Sequence, residues 1–222
     1  MAQPKIWESL LLYDSRNVRS IFLQLPTDYE PETLDWSKVY VEFQRNFFSL
    51  GRGALDTAVL PLFSSWRYKD VPRKKRDNLP DAFTVHLGIP IVSGHMKAVL
   101  ERFDLGDTSF YPIKLYEFDQ VTQRPDDLYI WDVRNAVRAL VPEKSKGILD
   151  LLGHGTTWDM FPEKGKFLAL DEACIPDVDV WIDPQMKSRL FFSDRLRTAL
   201  RQADLSLRCF GWRACKLVAR DQ

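Results

Sequence analysis

The stretch "PIVSGHMKAVLERFDLGDTSF" begins at position 90, and "LFFSDRLRTALRQADLSLRCF" repeats its pattern from position 190. A shift of one hundred residues places Ser93 on Ser193, Leu100 on Leu200, Asp104 on Asp204, Leu105 on Leu205 and Phe110 on Phe210. Met96 with Leu196, Lys97 with Arg197 and Val99 with Ala199 are alike in kind. In each copy a short apolar run reaches a serine, whose hydroxyl can accept a hydrogen bond from an otherwise unpaired N–H of a first helical turn. Apolar residues at +3, +6 and +7 then form one buried stripe. The spacing therefore predicts a strand, an N-cap and a helix, built twice. A nucleophile at a strand-to-helix elbow would need the glycines of G-x-S-x-G, which neither "PIVSGHM" nor "LFFSDRL" supplies.

Around these units most of the chain reads as strands. "KIWESLLL" and "SIFLQL" are strand-like and separated by the turn-prone "YDSRN". "PTDYEPETLDWS" reads as a surface connection. In "KVYVEFQRNFFSLGRGALDTAVLPLF", Val39, Val41 and Phe43 alternate like a strand, while the later part fits a helix up to Pro61. "RYKDVPRKKRDNLPD" is a basic loop, and "FTVHLG" alternates like a half-buried strand. "FYPIKLYEFD", "DLYIWDV", "KFLAL", "DVDVWID", "RLFFS" and "CFGWRACKLVA" complete the expected strands. Runs of strands punctuated by a few helices predict an α+β fold, with a mixed, mainly antiparallel sheet, a few packed helices and the two strand-cap-helix modules.

Charge separates the chain into zones. Lys plus Arg equals Asp plus Glu at 31 each, so no overall field attracts nucleic acid or an anionic membrane, and neither is expected as a partner. Residues 104–185, however, carry 8 basic and 16 acidic side chains, whereas residues 61–103 are net +4 and residues 186–222 net +6. No apolar run approaches the roughly 18 residues of a membrane helix, and the polar opening "MAQPKIWESLLLYDSR" lacks a secretory core, so a cytoplasmic location is expected. Cys174, Cys209 and Cys215 are odd in number and without C-x-x-C spacing, which suits a reducing compartment.

Catalytic and metal-binding patterns are sparse. His86, His95 and His154 stand in no H-E-x-x-H or C-x-x-C context, and no G-x-x-x-x-G-K-[ST] or G-x-G-x-x-G occurs, so no metal and no cofactor is expected. The most enzyme-like piece is "LLGHGTTWD", where His154 lies between glycines beside Thr156 and Asp159. It reads either as a small cytoplasmic enzyme's Gly153–Asp159 loop or as a tight turn. The basic residues Arg73 to Arg76 could touch phosphate or be solvated. The carboxylates of residues 104–185 fit neither an EF-hand nor a helix-face pair.

The strand ending in Ser, the D-R-L-x-x-A-L helix and the following aromatic strand resemble the C-terminal signature of the immunity protein eleven family. The likeness extends through "DAFTVHLGIPIVSGHMKAVLE", "SFYPIKLYEF", "LYIWDV" and "KFLALDEACIPDVDVWID", over residues 80–215, and leaves residues 1–79 poorly matched. It implies an immunity-type α+β domain over residues 80–222, with residues 1–79 packed against it. It also implies a non-enzymatic protein that binds and neutralises a cognate bacterial toxin, encoded by a neighbouring gene, of a polymorphic, contact-dependent or secretion-delivered system. The resemblance carries no catalytic residues. Many toxins delivered between bacteria attack nucleic acids or other anionic substrates, for which a basic cleft is expected, and this makes Asp171, Glu172, Asp177, Asp179 and Asp183 the candidate partner-binding residues. The same acids could instead be solvated, or pair internally with the basic tail after residue 185.

Overall fold

Both serines cap helices. Ser93 ends a strand and its hydroxyl accepts from the Met96 N–H at 3.1 Å, while Ser193 does the same for Leu196, also at 3.1 Å. The computed structural model describes residues 5–12, 19, 21–24, 63–66, 78–85, 88–119, 121–151, 153–160, 165–186, 189–207 and 210–219, with residues 22–24 and 63–66 as backbone alone. The readings of residues 26–62, of the Arg73 to Arg76 cluster, of His86 and of Cys209 lie outside them.

In chain order the strands are β1 (Ile6–Ser9), β2 (Ile21–Gln24), β3 (Phe63–Trp66), β4 (Ala82–Thr84), β5 (Pro90–Ser93), β6 (Thr108–Tyr116) and β7 (Leu128–Val133). They continue with β8 (Ile148–Asp150), β9 (Trp158–Met160), β10 (Ala169–Asp171), β11 (Val180–Trp181), β12 (Leu190–Ser193), β13 (Arg213–Ala214) and β14 (Lys216–Val218). Among the described residues the α-helices are α1 (Gly94–Leu100) and α2 (Asp194–Gln202). One sheet runs β2-β3-β6-β7-β5-β4 and another β11-β12-β1-β13, beside the pairs β10-β14 and β8-β9. Among the described residues all ladders are antiparallel except β3 with β6 and β10 with β14, as an α+β fold of mainly antiparallel sheet requires.

The repetition reaches far beyond the helices. Ala82 pairs with Val92 as Val180 pairs with Phe192, so β4-β5 and β11-β12 share one register. Leu128 stands opposite Ser93, and Ile6 opposite Ser193, which makes β7 and β1 counterparts. Lys114 lies beside Phe63 in parallel, as Lys216 lies beside Ala169, which matches β3 with β10. Two copies of one architecture therefore follow each other along the chain, residues 6–116 and 128–218, with their first strands exchanged. The opening strand β1 is the central strand of the second copy's sheet, between β12 and β13, and β7, which opens the second copy, is central to the first copy's sheet.

Alternation along these strands sorts side chains between three clusters. Val92, Phe192 and Trp131 face a shared core with the buried stripes of both helices, Met96, Val99 and Leu100 from α1 and Leu196 and Leu200 from α2. Ile91 and Ile130 turn to the far side of the first sheet, and Phe191 and Ile6 to the far side of the second. Each helix also lays a cation on its neighbouring strand: Lys97 stands 5.1 Å from the Tyr129 ring, and Arg197 stands 3.8 Å from Trp7 at the equivalent place.

Two aspartates tie the copies together. Asp81 accepts from the Ser93 hydroxyl and, through Oδ2, from the Ser206 N–H at 2.7 Å, and Ser206 lies beyond α2 in the other copy. Asp179 accepts from the Ser193 hydroxyl and, through Oδ2, from the Asp104 N–H at 2.9 Å, beyond α1. Each cap serine is thus held by the acid that begins its own hairpin, and each acid reaches across to the opposite copy. Replacement of Ser93 or Ser193 by Ala is expected to cost about 0.5 to 2 kcal/mol in urea unfolding. Unchanged midpoints in both variants contradict the caps.

Candidate functional site

Asp171, Glu172, Asp177, Asp179 and Asp183 lie on β10, the connection to β11 and the segment just after it. Their surroundings differ sharply. Asp179 is fully buried and Asp183 and Asp171 nearly so, whereas Glu172 and Asp177 are exposed. Burial of an ionised carboxylate is costly without partners, and each buried acid has several. Asp171 caps the 3-10 turn Glu172–Cys174 by accepting from the Ala173 N–H at 3.1 Å. Asp183 accepts from the N–H groups of Ala139, Leu140 and Gln185 at 2.8, 2.7 and 2.8 Å. Burial pushes its carboxyl above the ordinary 3.8, against the pull of those three donors.

Asp179 receives a two-pronged guanidinium contact from Arg195, Nε at 2.6 Å and Nη2 at 2.7 Å, in addition to its serine and backbone donors. Arg195 belongs to the basic tail, so this part of the acidic zone pairs internally across the fold. Beside it the segment after α1, with exposed Asp104 and Asp107, crosses the approach to β11, with exposed Asp177: the Asp179 N–H donates to the Asp104 carbonyl at 2.7 Å. Asn135 fixes the crossing. Its amide donates to the carbonyls of Leu105 and Val180 at 2.7 and 2.8 Å, and its Oδ1 accepts from the Asp107 N–H at 2.7 Å.

The Gly153–Asp159 loop is the tip of the β8-β9 hairpin. Gly153, His154, Gly155 and Thr156 are exposed. The Asp150 carboxylate organises the tip, accepting from the N–H groups of Gly153 at 3.0 Å and Gly155 at 2.6 Å. Both glycines have positive φ, 70° and 67°, which explains a residue without Cβ on either side of His154. Asp159 sits at the hairpin's base, where its Oδ1 lies 3.5 Å from Arg189 Nη2. Among the described residues no group of three or more His, Cys, Asp or Glu comes together as a metal site, and no helix is long and apolar enough to cross a membrane. Cys174 and Cys215 are free thiols.

A polar centre that sequence reasoning missed lies under the second sheet. Glu8 is buried at the middle of β1, with Oε2 3.2 Å from Arg189 Nε and Oε1 3.3 Å from Arg213 Nε. Burial pushes the Glu8 carboxyl above its ordinary 4.5, against the pull of both guanidiniums. Arg189 also donates to the Met160 carbonyl at 2.5 Å, and Arg213 to that of Lys166 at 2.9 Å. In the first copy the equivalent positions hold Ile130, Ile89 and Tyr111. The only sequence signal was a Glu within the strand-like "KIWESLLL", at a position where the alternation asks for an inward-facing residue.

The sequence model of the Immunity protein family (Imm11) matches residues 34–216. No curated protein matches the chain.

Proposed function

We propose, on the premise that this chain belongs to the immunity protein family whose model spans residues 34–216, that it protects its cell by binding and neutralising one cognate protein toxin. Membership makes immunity the function and implies a toxin as partner. The finer reading is a cytoplasmic inhibitor without catalytic chemistry of its own, acting on a toxin encoded by a neighbouring gene and delivered by contact or secretion, with neither nucleic acid nor membrane as partner. The family match carries this reading. The placement of His154 on an exposed tip ordered by Asp150 supports binding over catalysis, since catalytic groups ordinarily work in a concave site.

For the acidic surface, the reading rests on Glu172 and Asp177, joined by the exposed Asp104 and Asp107. A basic toxin cleft would meet them with complementary charge and gain association rate. Co-expression with toxins encoded beside the gene should restore growth and co-purify the pair. Changing Glu172 and Asp177 together to Lys should slow association about tenfold at low salt, with less effect on dissociation. Protection without a recoverable complex overturns the binding reading, and an unchanged association rate overturns the acidic surface.

A further inference from the structure

The turn joining β6 to β7 belongs to neither copy of the repeated architecture, yet it is tightly built. Past the β6-β7 ladder the strands remain bridged at Tyr116 and Gln123, with the Glu117 N–H donating to the Thr122 carbonyl at 2.9 Å and the Arg124 N–H to that of Leu115 at 2.8 Å. The Asp119 carboxylate accepts from the N–H groups of Val121 and Thr122 at 3.0 and 2.9 Å and from the Thr122 hydroxyl at 2.6 Å. Arg124 clamps the base, 3.0 Å from Glu117 and 2.7 Å from Asp126. On this frame Val121 is 80% exposed and Phe118 44%, and Val121 is the most exposed large apolar side chain among the described residues. Their burial against a partner would gain apolar area, and a turn already ordered loses little freedom on docking.

The surroundings indicate what such a partner looks like. Glu117, Asp119, Asp126 and Asp127 stand against Arg124, which leaves residues 117–127 at net −3. A second copy of this chain docking the same turn about a two-fold axis would set two acidic turns face to face, which like charge opposes. We propose that this turn is a contact knuckle for the cognate toxin, with Val121 and Phe118 entering an apolar pocket whose rim carries Lys and Arg. The proposal rests on the reading of the chain as a toxin-binding immunity protein and names the surface it uses.

The test uses the full chain and, as probe, the purified C-terminal toxin domain encoded by the adjacent gene. A variant combining Phe118→Ser with Val121→Glu should bind about thirtyfold more weakly, mainly through faster dissociation, with an unchanged melting temperature. Leu151→Ser, which alters an exposed apolar side chain on the β8-β9 hairpin, should bind as the unaltered protein does. Full affinity in the double variant overturns the knuckle alone. Failure of the unaltered protein to bind or protect overturns the functional reading, and the knuckle with it. A dimer of the unaltered chain that the double variant dissolves while toxin binding stays intact assigns the turn to self-association and likewise overturns the proposal.

Discussion

Alanine at Asp179 is expected to remove about 3 to 5 kcal/mol of folding stability, among the largest losses available to a single change in this protein. The carboxylate is fully buried and accepts from the Ser193 hydroxyl, the Asp104 N–H and the Arg195 guanidinium. Its removal leaves two of those donors inside the fold without an acceptor. Arg195 is mostly exposed, so its own share is screened, and Arg195→Ala should cost far less than Asp179→Ala. The counterpart Asp81 is only half-buried, and the residue equivalent to Arg195 is the exposed His95, so Asp81→Ala should also be the milder change. Chemical denaturation of the three variants ranks them directly. An Asp179→Ala loss below about 1 kcal/mol would show that this contact does not hold the two copies together.

The second large effect is expected at Glu8, Arg189 and Arg213. Glu8→Ala takes one carboxylate from the Arg189 guanidinium, whose side chain has no solvent exposure and which keeps Asp159 at 3.5 Å and the Met160 carbonyl, and should cost about 3 to 5 kcal/mol, because a buried charge that loses a partner is costly. The first copy shows the alternative solution. Exchanging all three for its residues, as Glu8→Ile with Arg189→Ile and Arg213→Tyr, should destabilise less than Glu8→Ala, although it removes three charges. A triple variant less stable than Glu8→Ala shows instead that the arginine contacts to the Met160 and Lys166 carbonyls dominate.

The same site makes a pH prediction through Glu8. Its native carboxyl titrates above 4.5, so in the window from there up to its raised value the folded protein holds a proton that the unfolded chain has lost. Stability contributed by this group is therefore present below that window and lost as pH rises through it. Against Glu8→Gln, which does not titrate, the unaltered protein should lose ground as pH rises across the window and hold a constant difference above it.

Much of the local structure was legible in the chain. Ser93 and Ser193 follow apolar runs and precede stripes at helical spacing, and capping depends on N–H groups only three residues away. The strands of "LYIWDV", "KFLAL" and "RLFFS" were legible because apolar, β-branched and aromatic runs report burial within a sheet. The sequence shift of one hundred failed just beyond the helices. It paired Asp104 with Asp204, whereas the structure gives the role of Asp104 to Ser206, because α2 has 9 residues and α1 has 7. "CFGWRACKLVA" read as one strand, yet it divides at Cys215, with Arg213–Ala214 on β1 and Lys216–Val218 on β10.

The chain by itself determined the α+β class, the two capped modules and the uneven charge, since these follow from neighbours in sequence and from composition. Only the tertiary structure decided which acids face water. A count of carboxylates between residues 104 and 185 cannot separate exposed Glu172 and Asp177 from Asp171, Asp179 and Asp183, whose donors come from near neighbours, from β12 and α2, and from the segment after β7. It also decided that β1 completes the sheet of the second copy. A strand paired with partners more than 180 residues away leaves no periodic trace of its destination, because alternation specifies which face is buried but not against which strand.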